Sequence, residues 1–365
     1  MRSQVSEHPA ILVKVTVALW PLHAQYRTIQ ARTTKEIALK IVAVIATLFA
    51  LLAAPAFAAD VGFQEVKIAI GAEPPLTAGI WYPTSAPATP HSLGDATQVV
   101  APNGPVAGRR LPLIVMSHGG GGWYDGHYDT ALALAHAGFV VAAVSHAGDT
   151  FNDQSRVLQL WRRPAQLHQL VDYMLGEWPS RARLNAGRVG AFGFSNGGFT
   201  VLVAAGGTPD LSKIGPYCEA HPDHDLCEAL KRAGVVPHSG SEIPAGAWIH
   251  DSRIKAVVIA APAFGFSFGR AGLSSVRAPV QLWRAADDRH QPNPFYEEAV
   301  RDDLPRVPEY HVVANAGHYD FLPPCSARLS RKMPDVCNSQ PAFDRAAFHE
   351  QFNADVVRFF ESTLR

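Results

Sequence analysis

Residues 188–200 read RVGAFGFSNGGFT, an apolar run that stops abruptly at Gly193-Phe194-Ser195-Asn196-Gly197-Gly198. The Gly-x-Ser-x-Gly spacing alone is weak, arising by accident in about one chain in eight of this length. Ser195 is therefore either a nucleophile on a strand-to-helix turn or a small residue in a glycine-rich loop. The surrounding sequence has to choose between them.

On both sides of this stretch, short apolar runs recur with helical segments between them. Leu111–His118, Gly138–His146, Arg188–Ser195, Ile254–Pro262 and Ala278–Ala285 are continuous rather than alternating, as strands buried on both faces should be. Phe63–Ile70 and Thr77–Thr84 read as an antiparallel opening pair, and Pro308–Ala316 as a more polar last strand. Tyr128–Ala137, Gln159–Trp178, Gly197–Ala205, Pro294–Leu304 and Phe343–Leu364 carry apolar residues at helical spacing. Alternation of strand and helix predicts an α/β fold with a mostly parallel, doubly wound sheet. Ala88–Arg110, rich in Gly, Pro and small polar residues, reads as a surface loop. Gly206–Asp251 breaks the rhythm and reads as an insertion over the site, pinned by a disulfide.

In such a sheet, reactive residues belong at the carboxyl ends of strands. Ser195 sits there, where a buried strand meets a glycine-rich helix start, which favours the nucleophile over the small turn residue. A serine hydroxyl needs a base, and His318 in NAGHYDF follows the last strand. An acid must orient that base; Asp287 and Asp288 stand after Ala278–Ala285, and Asp288, four residues before Pro292, is the preferred one. An oxyanion hole would take the amide of Asn196 and one from HGGGGW, at Gly119 or Gly120. Trp123, Tyr124, Phe264 and Phe266 are candidates for an apolar pocket. His221 and His224 have Asp neighbours but no clear third ligand, so they read as a polar loop and no metal is expected.

The order Ser, Asp, His, with HGGGG, GFSNGG, LWRAADDRHQP and AGHYDFLPPC, resembles the α/β-hydrolase superfamily over about residues 62–364. Within it the chain is similar to secreted proteins labelled predicted dienelactone hydrolases, near the bacterial platelet-activating-factor acetylhydrolase-like esterases. True dienelactone hydrolases use a Cys nucleophile where this chain has Ser195, so the label describes a fold rather than a substrate. The resemblance implies a serine hydrolase that cleaves carboxylic esters of small or medium acyl groups through an acyl-enzyme intermediate, without a cofactor. Amidase or peptidase chemistry, polyester cleavage, and a non-catalytic binding protein on the same fold are the alternatives.

Bulk properties set the partners and the compartment. Lys and Arg together number 32, and so do Asp and Glu, so no global field draws nucleic acid or an anionic membrane. Lys35 and Lys40 precede an apolar run, Ile41–Ala54, and Ala56-Phe57-Ala58 has the small-x-small pattern of a cleavage site. The expectation is a signal peptide over 1–58, a mature domain over 59–365, and a periplasmic or secreted protein. The n-region of about 40 residues is long, and a start codon assigned too far upstream would account for it. No Cys precedes Cys218 to carry a lipid, so no stable membrane anchor is expected after cleavage. Four cysteines allow three pairings, and the short closures Cys218 with Cys227 and Cys325 with Cys337 are preferred. Oligomeric state has no signature in the sequence.

Overall fold

The computed structural model describes residues 60–71, 73–235 and 243–364. The signal-peptide expectation over 1–58 lies outside the described residues.

Among the described residues, ten strands form one sheet. In chain order the elements are β1 (Asp60–Ile70), β2 (Glu73–Thr84), β3 (Thr89–Leu93), β4 (Ala96–Pro102), β5 (Leu111–Ser117), α1 (Tyr128–His136), β6 (Val140–Ser145), α2 (Arg162–Asp172), β7 (Leu184–Phe194), α3 (Asn196–Ala204), α4 (Ile214–Ala220), α5 (Asp225–Arg232), β8 (Ile254–Ala260), β9 (Val280–Ala285), α6 (Glu297–Asp303), β10 (Glu309–Val313) and α7 (Arg345–Thr363). The sheet order is β10-β9-β8-β7-β5-β6-β2-β1-β4-β3. From β10 to β6 every neighbouring pair is parallel, and β2 closes that block antiparallel to β6.

The continuous apolar runs are explained by packing on both sheet faces. Leu113, Val115, Ala142, Ala191, Val257 and Ile259 face one way, against Leu167 and Leu170 of α2 and Phe199 and Leu202 of α3. Ile114, Met116, Ala143, Phe192, Val258 and Ala260 face the other, against Leu134 of α1 and Phe352, Val356 and Phe360 of α7. Each strand thus alternates between two buried layers, so no polar face interrupts it.

One expectation fails. Ala88–Arg110 is not simply a loop, because β3 and β4 pair antiparallel across Gly94-Asp95, with Gly94 at φ +57°. Two-residue loops with Gly at a positive φ close hairpins. Pro90 and Pro102 suggested a loop, yet Pro90 lies in the edge strand β3, and Pro102 ends β4 beyond its pairing with β3. Gln98 of β4 is buried and its Oε1 accepts from Trp81 Nε1 at 2.7 Å, so a polar residue does core work here. The helix expected from Gln159 begins at Arg162, and residues 173–177 wind as a π-helical turn.

Both short disulfides form, Cys218–Cys227 linking α4 to α5 and Cys325–Cys337 closing a loop after His318. That second loop reaches the histidine through a buried ion pair. Asp320 Oδ1 accepts from Arg345 Nη2 at 2.9 Å, and Arg345 Nη1 donates to the Val336 carbonyl at 3.1 Å. Asp320 Oδ2 accepts from the Gly317 amide at 2.7 Å, immediately before His318. Cys325→Ser is expected to cost about 2–3 kcal/mol of stability and to lower activity as well. Thermal melts alongside ester turnover test this, and full activity with lost stability would refute the functional half.

Candidate active site

Ser195 occupies a strained turn between β7 and α3, with φ 55° and ψ −121°. A non-glycine residue there persists only where its surroundings hold it. The Ser195 amide donates to the Ala260 carbonyl at 3.0 Å, and its own carbonyl accepts from Phe199 and Ala263 at 3.1 and 3.0 Å. Glycine on either side makes the turn sterically feasible. A Cβ on Gly193 would lie 2.1 Å from the Gly197 carbonyl oxygen, and one on Gly197 would lie 1.8 Å from that of Ser117.

The sheet brings the three expected side chains together from the carboxyl ends of β7, β9 and β10. His318 Nε2 lies 3.1 Å from Ser195 Oγ, and His318 Nδ1 lies 2.7 Å from Asp288 Oδ2. Their loops are fastened to each other, since the Ala286 and Asp287 amides donate to the Val313 and Ala316 carbonyls, both at 2.9 Å. Asp288 is buried while its neighbour Asp287 is exposed, so the hydrogen-bonded acid is Asp288. Burial raises the Asp288 carboxyl, but His318, through its charge and its hydrogen bond, and the Gln291 amide outweigh that and hold it below the ordinary value. Asp288 is thus an anion at neutral pH, able to fix the Nδ1–H tautomer of His318.

The amides of Asn196, Gly119 and Gly120 border the same cavity, and none of them donates to an acceptor among the described residues. Asn196 also opens α3, so its N–H sits at the positive end of a helix. The loop carrying Gly119 and Gly120 is braced from beneath by residues that sequence reasoning missed. Asp149 accepts from the Gly121 amide at 2.7 Å through Oδ1, and its Oδ2 pairs with Arg163 of α2. Arg163 Nη2 donates to the His118 carbonyl. Both partners of this ion pair are buried.

The cavity has a volume of about 330 Å³. Of the four aromatic residues expected in a pocket, Phe264 alone lines it. Tyr124 is core, with its hydroxyl on Glu65 Oε2 at 2.6 Å; Trp123 packs beside it, and Phe266 stacks on Tyr217 at 4.0 Å. The insertion contributes Asp225, Leu226 and Ala229 of α5 to the cavity wall. His221 and His224 stack on each other at 4.7 Å, and His224 Nδ1 lies 2.7 Å from the Tyr217 hydroxyl.

Glu297, fully buried at the start of α6, adds an electrostatic feature behind the acid. Among the described residues, neither carboxyl oxygen meets a partner from another residue. Burial, and then the charge of Asp288, push its pKa well above the ordinary value, so folding favours its protonated form. The native state thus tends to keep a proton that the unfolded chain releases above about pH 4.3, and this group's contribution to stability falls as pH rises beyond that point. Glu297→Gln, neutral at every pH, removes that contribution, so the Tm of the variant is expected to gain on that of the native protein between pH 5 and 8. Parallel melting curves for the two proteins would contradict it.

Neither a family model nor a curated protein matches the sequence. Among solved structures, the chain is similar to a ferulic acid esterase from Streptomyces cinnamoneus, with a TM-score of 0.59 and 18% identity, covering 86% of this chain and 92% of that one. The fold is that of an α/β hydrolase. In an α/β-hydrolase fold the nucleophile turn, the amide-donating loop, the acid and the base lie at one edge of the parallel strands, which is where Ser195, Gly119, Asp288 and His318 stand.

Proposed function

We propose that the protein is a serine esterase that hydrolyses carboxylic esters of small or medium acyl groups. The observation that carries this reading is the hydrogen-bonded chain from Ser195 Oγ through His318 to Asp288, at 3.1 and 2.7 Å, beside uncommitted backbone amides. His318 Nε2 takes the Ser195 proton as Oγ attacks the ester carbonyl. Asp288 holds the imidazole and stabilises the imidazolium that forms. The amides of Asn196 and of Gly119 or Gly120 receive the oxyanion. His318 then passes its proton to the leaving alcohol, and water, activated by the same imidazole, frees the acid. Every step uses groups of this chain.

The finer likeness, to dienelactone-hydrolase-like and platelet-activating-factor acetylhydrolase-like esterases, rests on the motifs around Ser195, Asp288 and His318. The structural neighbour is a ferulic acid esterase, which agrees with ester cleavage. We place the protein in the periplasm or outside the cell. Two formed disulfides support an oxidising compartment, and among the described residues no helix is long and apolar enough to cross a membrane.

Labelling the native protein with a fluorophosphonate and mapping the adduct by peptide mass tests the mechanism. A single adduct at Ser195 is expected. Its absence from folded protein would favour a binding protein on a hydrolase fold.

A further inference from the structure

The loop after β9 carries more than the acid. His290 and Gln291, two and three residues past Asp288, both line the cavity beside Ser195. His290 Nδ1 lies 2.7 Å from Asp225 Oδ2 of α5, and its ring lies 5.2 Å from that of His318 and 4.9 Å from that of Tyr319. Of the four histidines that line the cavity, His118, His127, His290 and His318, His290 thus resembles His318 in having Nδ1 on a carboxylate, but its Nε2 is unpartnered among the described residues. Burial, and then the charge of His318, lower the pKa of His290, so the ring is neutral at neutral pH. With the proton on Nδ1 facing Asp225, Nε2 presents a lone pair.

Gln291 belongs to the triad's surroundings. Its amide N–H donates to Asp288 Oδ1 at 2.9 Å, and its side-chain Nε2 approaches Ser195 Oγ to 3.5 Å. The side-chain Oε1 is shielded from solvent and has no partner among the described residues, so it does not open onto the cavity and His290 Nε2 is the acceptor a ligand can meet. Among the described residues no Lys or Arg lines the cavity, while Asp225 does, so a carboxylate or phosphate finds no cation there. What a neutral imidazole acceptor can receive is an uncharged donor.

We propose that His290 Nε2 is a recognition site for a hydroxyl group of the substrate, which makes the preferred substrates hydroxylated esters. The proposal deepens the esterase reading and rests on it for the identity of the ligand. The hydroxyl can belong to the acyl or to the alcohol part.

Binding to Ser195→Ala protein, which cannot form an acyl-enzyme, separates recognition from turnover. Ethyl lactate against ethyl propionate tests a hydroxyl on the acyl side, and 2-hydroxypropyl butyrate against propyl butyrate tests one on the alcohol side, each titrated by ligand-observed NMR. The hydroxylated member of at least one pair is expected to bind about tenfold tighter, against the trend that an apolar pocket alone would impose. The pair that shows the preference identifies the side. In the same background, His290→Phe keeps a flat ring against Tyr319 but removes Nε2, and should abolish the preference. Equal or weaker binding of both hydroxylated esters, or a preference undiminished by His290→Phe, would overturn the proposal. The first comparison needs no change at His290, so a misfolded variant does not blunt it. Turnover of the four esters by unmodified protein reports on the esterase reading separately: turnover without a binding preference defeats only the hydroxyl site, and preference without turnover defeats only the esterase.

Discussion

Ser195→Ala is expected to lower kcat/KM for any accepted ester by about 10⁴- to 10⁶-fold while leaving the fold intact. Alanine removes one oxygen and keeps the Cβ, so the positive-φ turn at 55° is no more strained than before. The amides of Asn196, Gly119 and Gly120 would still be present, and a small residual rate should survive from them and from binding alone. The expected pattern is a collapse of kcat with little change in Tm. Loss of less than about tenfold in rate would mean that another group attacks.

The second large effect separates adjacent acids. Asp288→Asn is expected to cost about 10⁴ in kcat, because an amide beside Nδ1 no longer favours the tautomer in which Nε2 can accept the Ser195 proton. Asp287→Asn should leave the rate near wild type, since the Asp287 side chain is exposed and its structural contact is a backbone one, amide to the Ala316 carbonyl at 2.9 Å. Steady-state kinetics on the two variants suffices. The assignment fails if Asp288→Asn retains the rate, and it is reversed if Asp287→Asn is the one that loses it.

Much of this candidate site is legible in the sequence because its signals are local. A buried strand running into Gly-Phe-Ser-Asn-Gly-Gly reports a tight turn, and His318 and Asp288 stand in short loops directly after apolar strands. The choice between Asp287 and Asp288 needed burial, since neighbouring residues on one loop differ mainly in which way they point. Other features depend on partners distant in sequence. Arg163 meets Asp149 and the His118 carbonyl from α2, and Asp225 meets His290 across 64 residues of intervening chain that include β8 and β9. No periodicity encodes such a pairing. The β3–β4 hairpin was hidden for another reason: edge strands need only half a buried face, so their composition approaches that of a loop. Trp123, Tyr124 and Phe266 illustrate the converse, aromatic residues near strand ends that serve the core.

The ion pair of Arg163 with Asp149 has a consequence for how this protein can vary. Removing one partner of a buried pair strands the other charge and typically costs about 3–5 kcal/mol, a large share of the stability of an ordinary domain. Because the pair holds both the His118 carbonyl and the Gly121 amide, the segment between them is locked to α2 from the interior side. Substitutions that loosen it would be removed first through loss of folded protein, whatever they did to rate. The wall built by Leu226 and Ala229 stands on a cross-linked helix whose ion pair with the loop after β9, Asp225 with His290, is partly exposed, so change there is expected to cost less. Reactivity and selectivity in this molecule therefore sit on parts with very different freedom to drift.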